Sequence, residues 1–258
     1  MSEIKALLFD VDGTLADTER DGHRIAFNRA FAQVGLDWEW TDELYGRLLE
    51  ISGGKERMTH YLRHYIHPDS EPPQELLALI PDLHAIKNRF YWEMLDKGEI
   101  GLRPGVARLL TEAREQGLRL AIATTTTGDN VRSLLRNTLG ADAEHWFELI
   151  ASADEVANKK PSPAVYEYCL MRLGLAPTEC IAFEDSENGM AATRGAGIPV
   201  IVTVNGYTQD GDYRDAELML ENLGEPEAPA RVLGGRAAGR VSSSVCVDVG
   251  LLRKLRAG

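Results

Sequence analysis

Cysteine is scarce in this chain. Cys169, Cys180 and Cys246 are unevenly spaced, and no two form a C-x-x-C pair. Free thiols in a reducing, cytoplasmic setting fit this usage better than a disulfide framework. Positive charge is short too: 28 Lys and Arg against 40 Asp and Glu leave a formal net charge of −12. A nucleic-acid partner, which needs a basic face, is not expected. An anionic substrate stays open, because a local cation or a metal can reverse the field. No apolar run is long enough to span a membrane, so no membrane partner is expected. Residues 1–5 lead straight into a strand without a signal peptide. Internal repeats and low-complexity tracts are absent.

What is present is an ordinary globular composition. Hydrophobic residues make up 44% and charged residues 26% of 258, enough for one large domain or a domain with a smaller one inserted. The organising stretch is Leu7-Leu8-Phe9-Asp10-Val11-Asp12-Gly13-Thr14-Leu15. Residues 6–9 suit a short buried strand. It ends in two carboxylates and a glycine that permits a turn. Taken alone, this is either a solvated turn or the ligand-binding edge of a parallel sheet.

Helical periodicity follows. Asp17-Thr18-Glu19 offers capping and first-turn acids. Ala26, Phe27, Ala30, Phe31 and Val34 then recur at helical spacing up to Gly35. Trp38 and Trp40 fall in a connection. A second helix starts at Thr41-Asp42-Glu43 with Leu44, Leu48, Leu49 and Ile51 on its apolar side. Ser52-Gly53-Gly54 breaks it, and a third helix opens at Lys55 and ends before Pro68. A longer helix is expected over 81–97. From about residue 101 strands and helices alternate: strands at 119–123, 147–151, 181–183 and 199–204, helices at 105–116, 129–139, 162–173 and 187–196. This alternation gives a parallel sheet covered on both faces. The helical block then reads as an insertion above the strand ends. In the tail, 216–220 reads as a short strand, 224–240 as loop, and 245–249 as an edge strand before a terminal helix.

The other strand ends resemble the first. Thr124-Thr125-Thr126-Thr127 could hold a phosphate oxygen or simply cap a helix. Lys159-Lys160-Pro161 is either an exposed basic turn or a cation at the same edge. Glu184-Asp185 could bind a hard cation or cap a helix. All sit at or beyond strand C-termini of one sheet, so they can converge. Carboxylates, a hydroxyl, a lysine and a second acid pair suit phosphoryl transfer, where positioning and electrostatics do most of the catalysis.

Asp10-Val11-Asp12-Gly13-Thr14, Thr124, Lys160-Pro161 and Glu184-Asp185 resemble, in order and spacing, the four motifs of the haloacid-dehalogenase superfamily. The resemblance spans the chain to about residue 204. The helical block is similar to the small α-helical cap of the superfamily's sugar-phosphate branch. Asp21-Gly22-His23-Arg24, Gly53-Gly54-Lys55-Glu56-Arg57, Leu102-Arg103-Pro104-Gly105-Val106 and Ala123-Thr124-Thr125-Thr126 look like the CbbY-like group. The implied fold class is α/β: a Rossmann-like parallel sheet with helices on both faces, residues 1–16 and 101–258, plus a helical cap, 17–100, inserted after the first strand.

The resemblance also implies roles. Asp10 is the nucleophile that forms an aspartyl-phosphate, and Asp12 is general acid and then general base. Asp10, Asp12 through its carbonyl, Glu184 and Asp185 are the expected metal set, with Mg²⁺ as the ion. Thr124 and Thr125 bind the phosphoryl group, and Lys160 neutralises it. An acid at Asp12 favours a phosphate ester over halide displacement, because halide needs no proton on leaving. In the cap, Glu19 and His23 are expected near the mouth. Lys55 and Arg57 either grip a second phosphate or are solvated surface cations. The implied activity is Mg²⁺-dependent hydrolysis of a small phosphorylated sugar by a monomer, with xylulose 1,5-bisphosphate cleaved to xylulose 5-phosphate. A β-phosphoglucomutase-like mutase and a non-catalytic relative are the alternatives; the presence of both Asp10 and Asp12 argues against the latter.

Overall fold

The structure, a computed structural model, describes residues 3–51 and 53–257. Ser52, read as part of a helix break, lies outside the described residues. Two compact units form, Met1–Asp17 with Gly101–Gly258 and Thr18–Ile100. The first begins with β1 (Ala6–Phe9), whose four residues are all buried.

Among the described residues the second unit holds only helices. A π-helical turn over Glu19–His23 runs into α1 (Arg24–Gln33). Thr18 does not cap it through its side chain. Asp17, also read as a capping acid, pairs with Arg103 Nε at 3.2 Å. Thr41 does cap α2 (Asp42–Leu48), accepting from Leu44 N at 3.2 Å. The buried side of α2 is Tyr45 and Leu48, with Leu44, Leu49 and Ile51 only half-buried. α3 (Gly54–Tyr61) continues into a π-helical turn, Leu62–Ile66. α4 (Gln74–Asp96) starts well before the expected residue 81 and carries Pro81 inside it. The proline was read as a boundary because it lacks a donor. Here α4 packs along α1, and that packing outweighs the lost bond.

Trp40 is the centre of this unit rather than part of a mere connection. It is fully buried, with Phe27, Phe31 and Tyr61 ring centroids at 4.6, 5.1 and 5.6 Å. Its backbone is clamped by one side chain: Asn28 Nδ2 donates to Trp40 O at 3.0 Å, and Trp40 N donates to Asn28 Oδ1 at 2.8 Å.

The first unit resumes with α5 (Val106–Glu115), β2 (Arg119–Ala123), α6 (Gly128–Leu139), β3 (Leu149–Ala151), α7 (Ala164–Leu173), β4 (Cys180–Glu184), α8 (Glu187–Gly195) and β5 (Val200–Thr203). Then come β6 (Leu218–Leu220), β7 (Ala230–Gly234), β8 (Ser244–Val245) and α9 (Val249–Ala257). The sheet order is β3-β2-β1-β4-β5-β6-β7-β8. It is parallel through β6, then antiparallel at β6–β7 and β7–β8. The segment 224–240, read as loop, therefore contains a strand, and the expected edge strand 245–249 is only Ser244–Val245. The burial of β7 alternates residue by residue, but its exposed positions include Leu233 as well as Arg231, so the hydrophobic periodicity is faint in the sequence. Side chains alternate across the pleat. Ala6, Leu8, Ala121 and Ala182 pack against Val165 and Cys169 of α7 and Met190 of α8. α5 lies against β2 and α9. β1 sits between β2 and β4, where the chain reverses its direction of travel across the sheet, and such a switch point opens a crevice at the strand C-termini.

Arg103 ties that edge to the strands beyond it. Its buried guanidinium donates to Gly13 O, to Thr203 O at 2.8 Å, Val204 O at 2.6 Å and Glu221 O at 2.7 Å. Arg103→Ala strands these carbonyls and Asp17, and is expected to cost about 3–5 kcal/mol. Arg103→Lys should recover only part, because an ammonium cannot span a planar fork. Urea unfolding measures both; a loss below about 1 kcal/mol for Arg103→Ala would remove it as a stabilising hub.

Candidate active site

β1 and β4 run side by side with Phe9 opposite Phe183, and their rings stack at 4.5 Å. The next residues on each strand are therefore neighbours. Asp10 N donates to Phe183 O at 3.0 Å, and Asp10 and Glu184 emerge together at the sheet edge. Asp185 follows one residue on. Ser186 then caps α8 by accepting from Gly189 N at 3.2 Å, so the acid pair is not needed as the cap.

Asp10, Glu184 and Asp185 are all buried, and one carboxylate oxygen from each lies within 4.8 Å of the others. Lys160 is not an exposed turn residue: its side chain is 7% exposed. Its three donors are all used, on Asp10 Oδ1 at 2.6 Å, Glu184 Oε1 at 2.6 Å and Ala123 O at 2.8 Å. Burial alone would lower the Lys160 pKa, but the charges of Asp10 and Glu184 outweigh it and raise it. Burial and the Asp10 charge push Glu184 up to about 7, against the pull of Lys160. Burial, then Asp10 and Glu184, push Asp185 well above the usual carboxylate range.

Both patterns describe a site short of positive charge. Glu184 Oε2 is buried with no hydrogen-bond partner. A Cβ at Gly189 would lie 1.9 Å from that atom, and a Cβ at Gly13, whose φ is +87°, would lie 2.1 Å from Asp185 Oδ2. The two glycines leave room for the carboxylates. An all-oxygen, anionic donor set of this kind fits a hard divalent cation.

Asp12 is half-buried in the turn after β1, where Gly13 N donates to Ala16 O at 2.8 Å. Its carboxylate is not part of the acidic triad. Thr124 is buried at the end of β2, while Thr125 is exposed. Asn205, just past β5, donates to Asp185 Oδ2 at 2.7 Å. Sequence reading missed it, although a polar residue after a strand at the same edge was the signal used for the others. Tyr166 was also missed: it lies in α7, reads as core, and donates to Glu184 Oε1 at 2.5 Å.

The helical unit brings its own candidates together in pairs. Tyr45 OH donates to Glu19 Oε2 at 2.6 Å and accepts from Arg57 at 2.9 Å. Arg57 is buried, also donating to Leu48 O at 3.0 Å, so it is no solvated surface cation. Lys55 is exposed. His23 stacks on Tyr91 and meets the buried Lys87 Nζ at 2.8 Å. Burial, then the charges of Lys87 and Arg57, hold His23 well below its ordinary pKa, so Lys87 donates to a neutral ring. Lys87 and Tyr45 were absent from the expected set. A lysine among Ile86 and Phe90 on a long helix carries no motif.

Comparison with known proteins gives one consistent result. A family model described as haloacid dehalogenase-like hydrolase matches residues 4–197. The plasmid-borne protein CbbY of Cupriavidus necator is 50% identical over 226 residues, covering 88% of each chain. The crystal structure of CbbY from Rhodobacter sphaeroides in complex with phosphate is similar at a TM-score of 0.73 and 43% identity, covering 92% of this chain and 100% of that one. A mutant of the same protein in complex with xylulose-(1,5)bisphosphate gives a TM-score of 0.72, also at 43% identity, over 91% and 98%.

The raised Glu184 pKa makes stability depend on pH. The folded state holds this proton more tightly than the unfolded chain, so its contribution is lost as pH rises from about 4.5 through about 7. In metal-free protein, Glu184→Gln should gain several degrees in Tm relative to wild type between about pH 5 and pH 8. Thermal melts in EDTA test this; parallel pH profiles for the two proteins would contradict it.

Proposed function

This chain belongs to the haloacid dehalogenase-like hydrolases, in their CbbY group, and on that footing we propose that it is a Mg²⁺-dependent phosphatase whose preferred substrate is xylulose 1,5-bisphosphate. It is a sugar-phosphate phosphatase by kinship. The observation that carries the finer reading is the triad Asp10, Glu184 and Asp185 with Lys160 spanning two of its members. The substrate itself is supported by the bisphosphate complex of the similar CbbY. The three free cysteines suit a reducing, cytoplasmic compartment.

In this mechanism an Asp10 carboxylate oxygen attacks phosphorus, and the phosphorus–oxygen bond to the sugar breaks. Asp12 gives its proton to the departing sugar oxygen. Water then attacks the aspartyl-phosphate, Asp12 takes a water proton, and inorganic phosphate leaves with Asp10 restored. Lys160 fixes the Asp10 rotamer throughout and offsets the charge on the phosphoryl oxygens. Thr124 donates to one of those oxygens. Asp10, Glu184, Asp185 and the Asp12 carbonyl would hold Mg²⁺, which when bound supplies charge neutralisation for the transferring group. Asn205 keeps Asp185 turned to that task.

The helical unit is proposed to choose the substrate. Arg57 and Lys87 are buried cations held by polar partners, Tyr45 and Leu48 for the one and His23 for the other. They suit the non-transferring phosphate of a bisphosphate better than exposed Lys55 does.

Two measurements test these readings. Phosphate release with Mg²⁺ is expected to favour xylulose 1,5-bisphosphate over ribulose 1,5-bisphosphate, fructose 1,6-bisphosphate, β-glucose 1-phosphate and phosphoglycolate, with Asp10→Asn inactive. Flat, weak hydrolysis across that panel, together with activity that depends on an added bisphosphate activator, would favour a mutase instead. Arg57→Ala and Lys87→Ala should each raise KM for the bisphosphate by about 10–100-fold, the worth of a hydrogen bond to a charged group, and change KM for a monophosphate far less. Equal effects on both substrates would remove these residues from the selectivity.

A further inference from the structure

We infer that Tyr166 is a positioning residue for phosphoryl transfer: its hydroxyl orients Glu184 and, through Glu184, keeps Lys160 on Asp10. Tyr166 is completely buried in the first turn of α7, on the sheet face lined by Leu8 and Ala182. Its ring lies beneath the Lys160 ammonium, with Nζ 5.2 Å from the ring centroid. Its hydroxyl donates to Glu184 Oε1 at 2.5 Å. That is the same oxygen that Lys160 reaches at 2.6 Å, and Glu184 Oε2 has no hydrogen-bond partner at all.

The carboxylate is therefore held entirely from one side. Two donors occupy Oε1, and the bare Oε2 is left over Gly189, whose missing side chain gives it room. The terminal torsion of a glutamate is broad and has no deep well of its own. Without the phenol, only Lys160 would resist rotation of that carboxylate. Lys160 is already shared, at equal distances, between Glu184 and Asp10. The hydroxyl satisfies part of Glu184's demand for a donor and so leaves the ammonium available to Asp10. Partners one layer behind a metal-binding residue commonly matter this way, at about 10–100-fold in affinity or activity.

The inference rests on the metal-dependent reading of the site, and the test separates the two. Tyr166→Phe removes the hydroxyl while keeping the ring under Lys160. Mn²⁺ binding is followed by the EPR signal of the free ion, and kcat is measured on xylulose 1,5-bisphosphate across a Mg²⁺ series. Mn²⁺ affinity is expected to fall about 10-fold or more, and kcat to recover largely at saturating Mg²⁺. The metal-free Tm should change little. A lower Tm with unchanged Mn²⁺ affinity would make the role merely structural and overturn the inference. The double variant Tyr166→Phe with Glu184→Gln gives a second check. If Tyr166 acts through Glu184, adding Tyr166→Phe to Glu184→Gln costs little further affinity; a full additional loss would overturn it. Failure of the wild-type protein to bind Mn²⁺ would bring down the metal-dependent reading and this inference together.

Discussion

Everything at the catalytic edge depends on one ammonium group. Asp10 and Glu184 leave adjacent strands side by side because Phe9 and Phe183 are in register. Two carboxylates in that position repel, and Asp185 adds a third. Lys160 arrives from the loop before α7 and uses all three donors, two on the opposing acids and one on the end of β2. It thus couples three strands, β1, β2 and β4, through a single charge. The acids still outnumber it. That imbalance is visible in the raised pKa values of Glu184 and Asp185, and it suits this edge to a divalent cation.

The edge is held from beneath and from the side by residues with quieter roles. Arg103 gathers carbonyls from the turn after β1 and from the segments after β5 and β6. Asn205 and Tyr213 fix Asp185 at its side chain and its backbone. Gly13 and Gly189 contribute by lacking a side chain. Preorganisation of this sort concentrates charge at one rim of the sheet while the strands behind it remain an ordinary apolar core.

Much of this was legible in the sequence, for a reason that can be named. Short apolar strands followed at once by Asp, Thr or Glu announce both a buried strand and the polar edge where it stops. That pattern picks out Asp10, Thr124, Glu184 and Asp185 and the parallel sheet together. Lys160 could be read as an exposed turn residue until the other strand ends gave it a destination. Where local patterns were weak or misleading, reading stopped. Pro81 looked like a helix start, although packing of α4 on α1 carries the helix through it. β7 looked like loop because the stretch around it is rich in Gly, Pro, Ala and Arg. Trp40 read as part of a connection, and Lys87 and Tyr166 fell inside expected helices without a motif, since a buried polar tip leaves no mark on hydrophobic periodicity. What singles them out is a partner distant in sequence, which only the folded chain supplies.

The sheet also has two ends. It closes on β3, three residues long, at one side and on β8, two residues long, at the other. An open sheet of eight strands would offer long rows of unpaired amides to any passing strand, the template from which aggregates grow. Here each row is cut to almost nothing, and a strongly acidic surface adds repulsion between molecules. That truncation is a colloidal safeguard, and it would have to be preserved in any effort to lengthen or redesign the sheet.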